Sequence, residues 1–140
     1  MNGYMTQENK VLLHKELCAR LPHGVIVNAP LWDDKRCDAK LTGIADDGSL
    51  TLDLPADCCF NLNDVKPYLR PMSSMTDEEV KEFYDVECID AKVGYIKPTW
   101  NWHFTINGID WLNAHHFDYR RLIERGLAIE VTEENNPYKK

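Results

Sequence analysis

No run of about 18 apolar residues occurs anywhere in the chain, so no helix long enough to cross a bilayer is predicted. The opening stretch, MNGYMTQENKVLLHK, lacks a basic patch followed by an apolar core. No secretory signal is expected there, and the expected location is the cytoplasm. Motif-borne chemistry is missing as well. There is no glycine-rich phosphate loop, no G-x-S-x-G elbow and no H-E-x-x-H helix. These absences leave open only side chains that meet in space without a sequence signature.

The cysteines offer no metal site either. Cys18, Cys37, Cys58, Cys59 and Cys88 include no C-x-x-C pair, so zinc-ligand spacing is lacking and neither a metal nor a cofactor is predicted. In a reducing cytoplasm they stay as thiols, expected to pack as small buried hydrophobes. His14 and Cys18 stand four residues apart, as two ligands on one helix face would. No second pair completes such a site.

What is present describes a globular protein. At 140 residues, 44% apolar and 28% charged, the chain can bury a core and is read as a single domain, with a sub-division at 1–72 and 73–140 held open. The net charge is −7 and unevenly spread. Asp77, Glu78, Glu79, Glu82, Asp85, Glu87 and Asp90 face one base, Lys81, giving 1 − 7 = −6 within 76–90. Such a surface repels phosphate backbones, so nucleic acid is disfavoured as a partner and a protein is expected.

Thr6 is a suitable N-cap for a helix to about Arg20, with Leu13, Leu17 and Leu21 along one stripe and Pro22-His23-Gly24 stopping it. From Gly24 to Pro71 the period changes to two. GVIVN reads as a strand, AKLTGIADDGSLTLDL as a hairpin turning at Asp46-Asp47-Gly48, and CCFNL as a further strand. A helical turn is expected in NDVKPYLRP. This pattern predicts an α+β fold: an N-terminal helix, then a small, strongly bent antiparallel sheet or SH3-like barrel, then short helices packed on further strands. Thr76-x-x-Glu79 is a capping box that opens a short acidic helix after the PMSSM linker.

In the second half, VECIDAKVGYIKP reads as one or two strands. TWNWHFTIN reads as another, placing Trp100, Trp102, Phe104 and Ile106 on one face and Asn101, His103 and Thr105 on the other. Asn107 is expected to cap a helix through His116, with Ile109, Leu112 and His116 on one face and Trp111 and His115 on another. Neighbouring helical residues point about 100° apart, so His115 and His116 cannot share an ion unless the helix ends between them. Asp118 then caps a predicted helix over YRRLIER, which Gly126 ends, and LAIEV forms a last strand.

The blocks DVKPYLRPMSSMTDEE and IDWLNAHHFDYRRLIERGLAIE resemble a family of small uncharacterised proteins of Bacteroidetes and their phages or prophages. That resemblance implies a bacterial or phage cytoplasm and carries over no site residue. The function expected is therefore a non-enzymatic accessory or binding protein that engages another macromolecule. Its binding residues are expected among Trp100, Trp102, His103, Tyr119, Arg120 and Arg121. One alternative is a small nucleic-acid-binding module whose barrel, or whose Arg120, Arg121 and Arg125, contacts phosphates. A second is a small hydrolase whose catalytic residues would be His115, His116 and Asp118.

Overall fold

Thr6 opens the first helix through its hydroxyl, which accepts the Asn9 N–H at 3.1 Å. The computed structural model describes residues 6–31, 35–54, 59–90 and 94–139. Helix α1 (Gln7–Arg20) buries Leu13 and Leu17 completely, and a 3-10 turn at Leu21–His23 follows it. Gly24 ends that turn at φ 74°, a left-handed conformation glycine adopts without a Cβ clash.

Strands β1 (Ile26–Pro30), β2 (Arg36–Ile44) and β3 (Leu50–Leu52) form an antiparallel meander. The Asp46–Gly48 turn sits where the sequence predicts it, tightened by the Asp47 carboxylate accepting the Ser49 N–H at 2.9 Å. A register shift between Leu41 and Gly43 places a bulge in β2, which bends the strand. Strand β4 (Cys59–Phe60) pairs with β3, and β5 (Lys66–Pro71) pairs antiparallel with β1. Two short late strands, β6 (Phe117–Asp118) and β7 (Ile129–Glu130), both pair parallel with β5. The α+β class is what forms. The sheet is open and mixed, running β4-β3-β2-β1-β5-β6, so the barrel alternative is not realised.

Several predicted elements differ. The segment KPYLRP is a strand rather than a helical turn; Pro67 and Pro71 push Lys66 and Arg70 away from helical backbone angles, and Tyr68 and Leu69 are buried between them. Only Leu62–Asp64 makes the expected turn of helix. The capping box forms as predicted and starts α2 (Asp77–Glu87), which absorbs Val86 and Glu87 of the predicted VECIDAKVGYIKP strands. Residues 91–93 lie outside the described residues, and 94–99 adopt no regular structure. TWNWHFTIN is likewise no strand. One turn of α2 instead holds the chain at Ile96, before this stretch, and at Thr105, near its end. The Tyr84 hydroxyl accepts the Ile96 N–H at 2.8 Å and donates to the Ile96 carbonyl at 2.7 Å, and the Glu87 carboxylate accepts the Thr105 N–H at 2.9 Å.

Helix α3 (Ile106–Ala114) is capped by Thr105, whose hydroxyl accepts the Gly108 N–H at 3.0 Å; Asn107 lies inside it. YRRLIER forms turns, not a helix. Arg121 takes φ 62°, which breaks the right-handed run, and seven residues recover little against the cost of helix nucleation. Gly126 keeps its expected left-handed conformation at φ 76°. Of the cysteines, Cys18 and Cys88 are exposed and Cys37 is half-buried, so these three do not act as buried hydrophobes; Cys58 lies outside the described residues.

Two apolar clusters build the core. The first joins Leu13 and Leu17 of α1 to the sheet residues Val27, Leu41, Leu50 and Leu69, and it also takes in Leu122, Leu127 and Ala128. The second packs Met75, Val80 and Phe83 against Leu112 and Phe117, with Trp102 and Phe104 at its margin. Chain from the second half therefore returns to the first cluster.

Candidate functional site

The 94–105 loop and the 119–125 turns approach each other to form a cleft of about 430 Å³. Trp100, Trp102, His103, Tyr119, Arg120 and Arg121, the six binding residues expected from the sequence, all line it, together with Phe104, Ile109 and Arg125. A flat strand face is not what brings them together. The α2 side chains Tyr84 and Glu87 set one wall, and the turns after β6 set the other.

The aromatic floor is anchored in the core. Phe104 meets the edges of Phe83 at 5.7 Å and Tyr119 at 6.3 Å between ring centroids, a geometry that favours contact of positive edge with negative face. Tyr119 is buried; desolvation, and after it the Glu16 carboxylate, hold its hydroxyl above the ordinary tyrosine value. It is therefore a neutral donor at physiological pH. Trp100 is 51% exposed, which leaves an aromatic surface at the mouth of the cleft.

Arginines supply the rest. Arg121 Cζ lies 4.4 Å from the Trp100 ring centroid, and Arg120 Cζ lies 5.5 Å from that of Tyr119. Each guanidinium has a carboxylate within reach, but two of the three are held loosely. Arg125 Nη1 is 3.9 Å from the highly exposed Glu8, and Arg120 Nε is 3.9 Å from Glu16, which is committed to Arg20 at 3.2 Å. Arg121 is bound closely to Glu124, with Nε donating to Oε2 at 2.8 Å. An arginine carries five N–H donors, so all three retain capacity for an incoming anion. Arg121 also sits in the left-handed region, which costs an L-residue roughly 1–2 kcal/mol. Strain of this kind persists where the surrounding structure holds a side chain in one place.

Beneath the cleft, Arg20 and Glu16 are buried together. Arg20 Nη2 donates to the Phe117 carbonyl at 2.7 Å, and its Cζ lies 5.2 Å from the Tyr119 ring centroid. The sequence gives little warning of this pair; a basic residue in a last helical turn reads as a solvated one that complements the helix dipole.

Of the predicted catalytic residues, the structure brings His115 and His116 to one recess, with Arg70 and Tyr138, and leaves Asp118 out of it. Helix α3 ends before both histidines, and they take different ring partners. His115 stacks over Trp111 at 4.1 Å, with its nitrogens 3.8 Å from Glu79 and 3.9 Å from Glu82. His116, at φ 65°, stacks on Tyr138. The Asp118 carboxylate faces neither ring. It accepts the Leu122 and Ile123 N–H groups, both at 2.9 Å, and so caps the turns as the sequence predicts while ending a strand rather than starting a helix. Among the described residues no three His, Cys, Asp or Glu side chains group as metal ligands.

Family models, curated proteins and solved structures were compared with the chain, and none matches.

Proposed function

We propose that this is a non-enzymatic accessory or binding protein, of bacterial or phage origin, that engages another macromolecule through the aromatic–arginine cleft. The observation that carries the reading is the convergence of Trp100, Trp102, Tyr119, Arg120 and Arg121, from two separate segments, on one concave surface. Aromatic and arginine side chains are the types that dominate binding energy at interfaces, and a recess that desolvates them is where they act. The partner is a protein. A nucleic-acid strand is the second reading, favoured by Arg125 joining Arg120 and Arg121 in the same recess.

Site-specific photo-crosslinking in bacterial cells tests this. A photoreactive residue at Trp100 is expected to yield a macromolecular adduct that one at the exposed Gln7 does not. Protease sensitivity of the adduct identifies a protein, and nuclease sensitivity a strand. Absence of any adduct specific to position 100 would remove the cleft as a binding surface.

A further inference from the structure

A second groove, of about 370 Å³, lies beside the cleft and shares Trp100 and Arg121 with it as a common wall. The two recesses have opposed chemistry. The cleft presents Arg120, Arg121, Arg125 and His103. The groove is lined by the apolar Pro71, Met72, Pro98 and Ile123 and by two acids, Glu130 and the Arg121-bound Glu124. Lys97 also lines the groove, with its ammonium donating to the Ser73 carbonyl at 3.1 Å.

We infer that the segment of the partner that binds here is an extended peptide, with an acidic side chain in the arginine cleft and, a few residues on, an apolar and a basic side chain in the neighbouring groove. This rests on reading the cleft as a binding site, and it adds the identity of the occupant. Charge complementarity decides the class. A nucleic-acid strand carries a phosphate on every residue, so one that lies in the cleft and continues past Trp100 brings a phosphate to Glu130, beside the Arg121–Glu124 pair. A peptide changes chemistry from residue to residue and can match both recesses.

An extended conformation fits two adjoining recesses divided by a single Trp–Arg wall. An extended chain advances about 3.3–3.6 Å per residue, so side chains a few positions apart reach either side of it. Arg121, one of the two residues that both recesses use, is held in a left-handed backbone conformation.

Selection of a random-peptide phage library on the immobilised full chain, at physiological ionic strength, tests the inference. Enriched peptides are expected to carry Asp or Glu a few residues from Leu, Ile or Met and from Lys or Arg. A synthetic copy of the winner should bind the Arg120→Gln/Arg125→Gln variant about tenfold or more weakly. Arg121→Gly relieves the backbone strain while removing the arginine half of the shared wall, so it should weaken binding with its melting temperature held or raised. Glu130→Lys should shift the selected peptides from basic towards acidic residues at the groove position. The inference is overturned if enriched peptides show no acidic preference, or if the arginine variants select the same ones. Tighter binding of an oligothymidylate than of any selected peptide would also overturn it, while leaving the cleft as the binding surface. Loss of the Trp100 crosslink would instead remove the underlying reading.

Discussion

The Tyr138 ring stacks on His116, with centroids 3.7 Å apart and planes 10° from parallel. The Tyr138 hydroxyl accepts the Ile26 N–H at 3.0 Å and donates to the Tyr68 carbonyl at 2.8 Å, so this one side chain ties the last described residues to β1 and β5. Burial, then the positive charge of Arg20, lower the His116 pKa from 6.5 to about 4. The folded chain therefore holds His116 neutral where the unfolded chain would protonate it. Its contribution is fully present above pH 6.5 and is lost as pH falls from 6.5 to about 4. The full shift corresponds to about 3 kcal/mol, and solvent at the ring's open edge reduces that to about 1–2 kcal/mol. Urea melts across this range should show the loss, and His116→Phe should flatten it. An unchanged pH slope in that variant would place the titrating group elsewhere.

Asp118→Ala leaves two backbone N–H groups, those of Leu122 and Ile123, without their acceptor beside a buried site. A cost of about 1–3 kcal/mol is expected, read as a lower urea midpoint with the slope unchanged. Asp118→Asn keeps one acceptor oxygen and should cost less. If Asp118→Ala melts like the parent chain, the carboxylate is not supporting the turns.

Glu16 and Arg20 are both buried, with Arg20 Nε and Nη1 left without hydrogen-bond partners. Removing one member strands a charge, so Glu16→Leu should destabilise by about 3–5 kcal/mol. The Glu16→Leu/Arg20→Met double variant should recover most of that loss, because an apolar pair needs no desolvated charge. A double-mutant cycle by chemical denaturation reads the coupling directly. Additive losses would show that the two side chains do not act as a pair.

A Cβ at Gly108 would overlap the Glu87 carboxylate, which is already engaged by the Thr105 N–H at 2.9 Å. Gly108→Ala should therefore cost about 1–3 kcal/mol despite the better helix propensity of alanine. Glu87→Ala in the same chain should return part of it. Because Glu87 also anchors the loop carrying Trp102 and Phe104, Gly108→Ala is expected to weaken peptide binding in parallel. A more stable Gly108→Ala chain would mean that Glu87 moves aside freely.

Local signals were legible where one segment decides its own structure. The Thr6 cap, the Asp46–Gly48 turn and the Thr76–Glu79 capping box each depend on residues two or three apart, and each forms. Alternation over Trp100–Ile106 misled, because its period of two meets no strand partner; Ile106 is 80% exposed, the Trp102 N–H donates to the Thr99 carbonyl and the Thr105 N–H to Glu87. The cleft residues were legible as types and positions. Their meeting was not, since it depends on the parallel pairing of β6 with β5 across 47 residues, from Arg70 to Phe117. The Arg20–Glu16 burial and the His116–Tyr138 stack likewise arise from contacts remote in sequence and leave no local pattern.

The late pairing of β5 also governs how the chain acquires its structure. Arg70 and Pro71 receive their neighbours only from 117–118, and Tyr68 and Leu69 only from 129–130. During synthesis the residues up to 71 can assemble the meander, but one side of β5 stays without a partner until those later segments have emerged. A nascent chain paused between about residues 90 and 115 would thus present an unpaired strand edge and an unfilled first cluster, the features that recruit chaperones or misassociate. Loop closure over such a separation is slow to form, so β5 capture is the step expected to limit refolding.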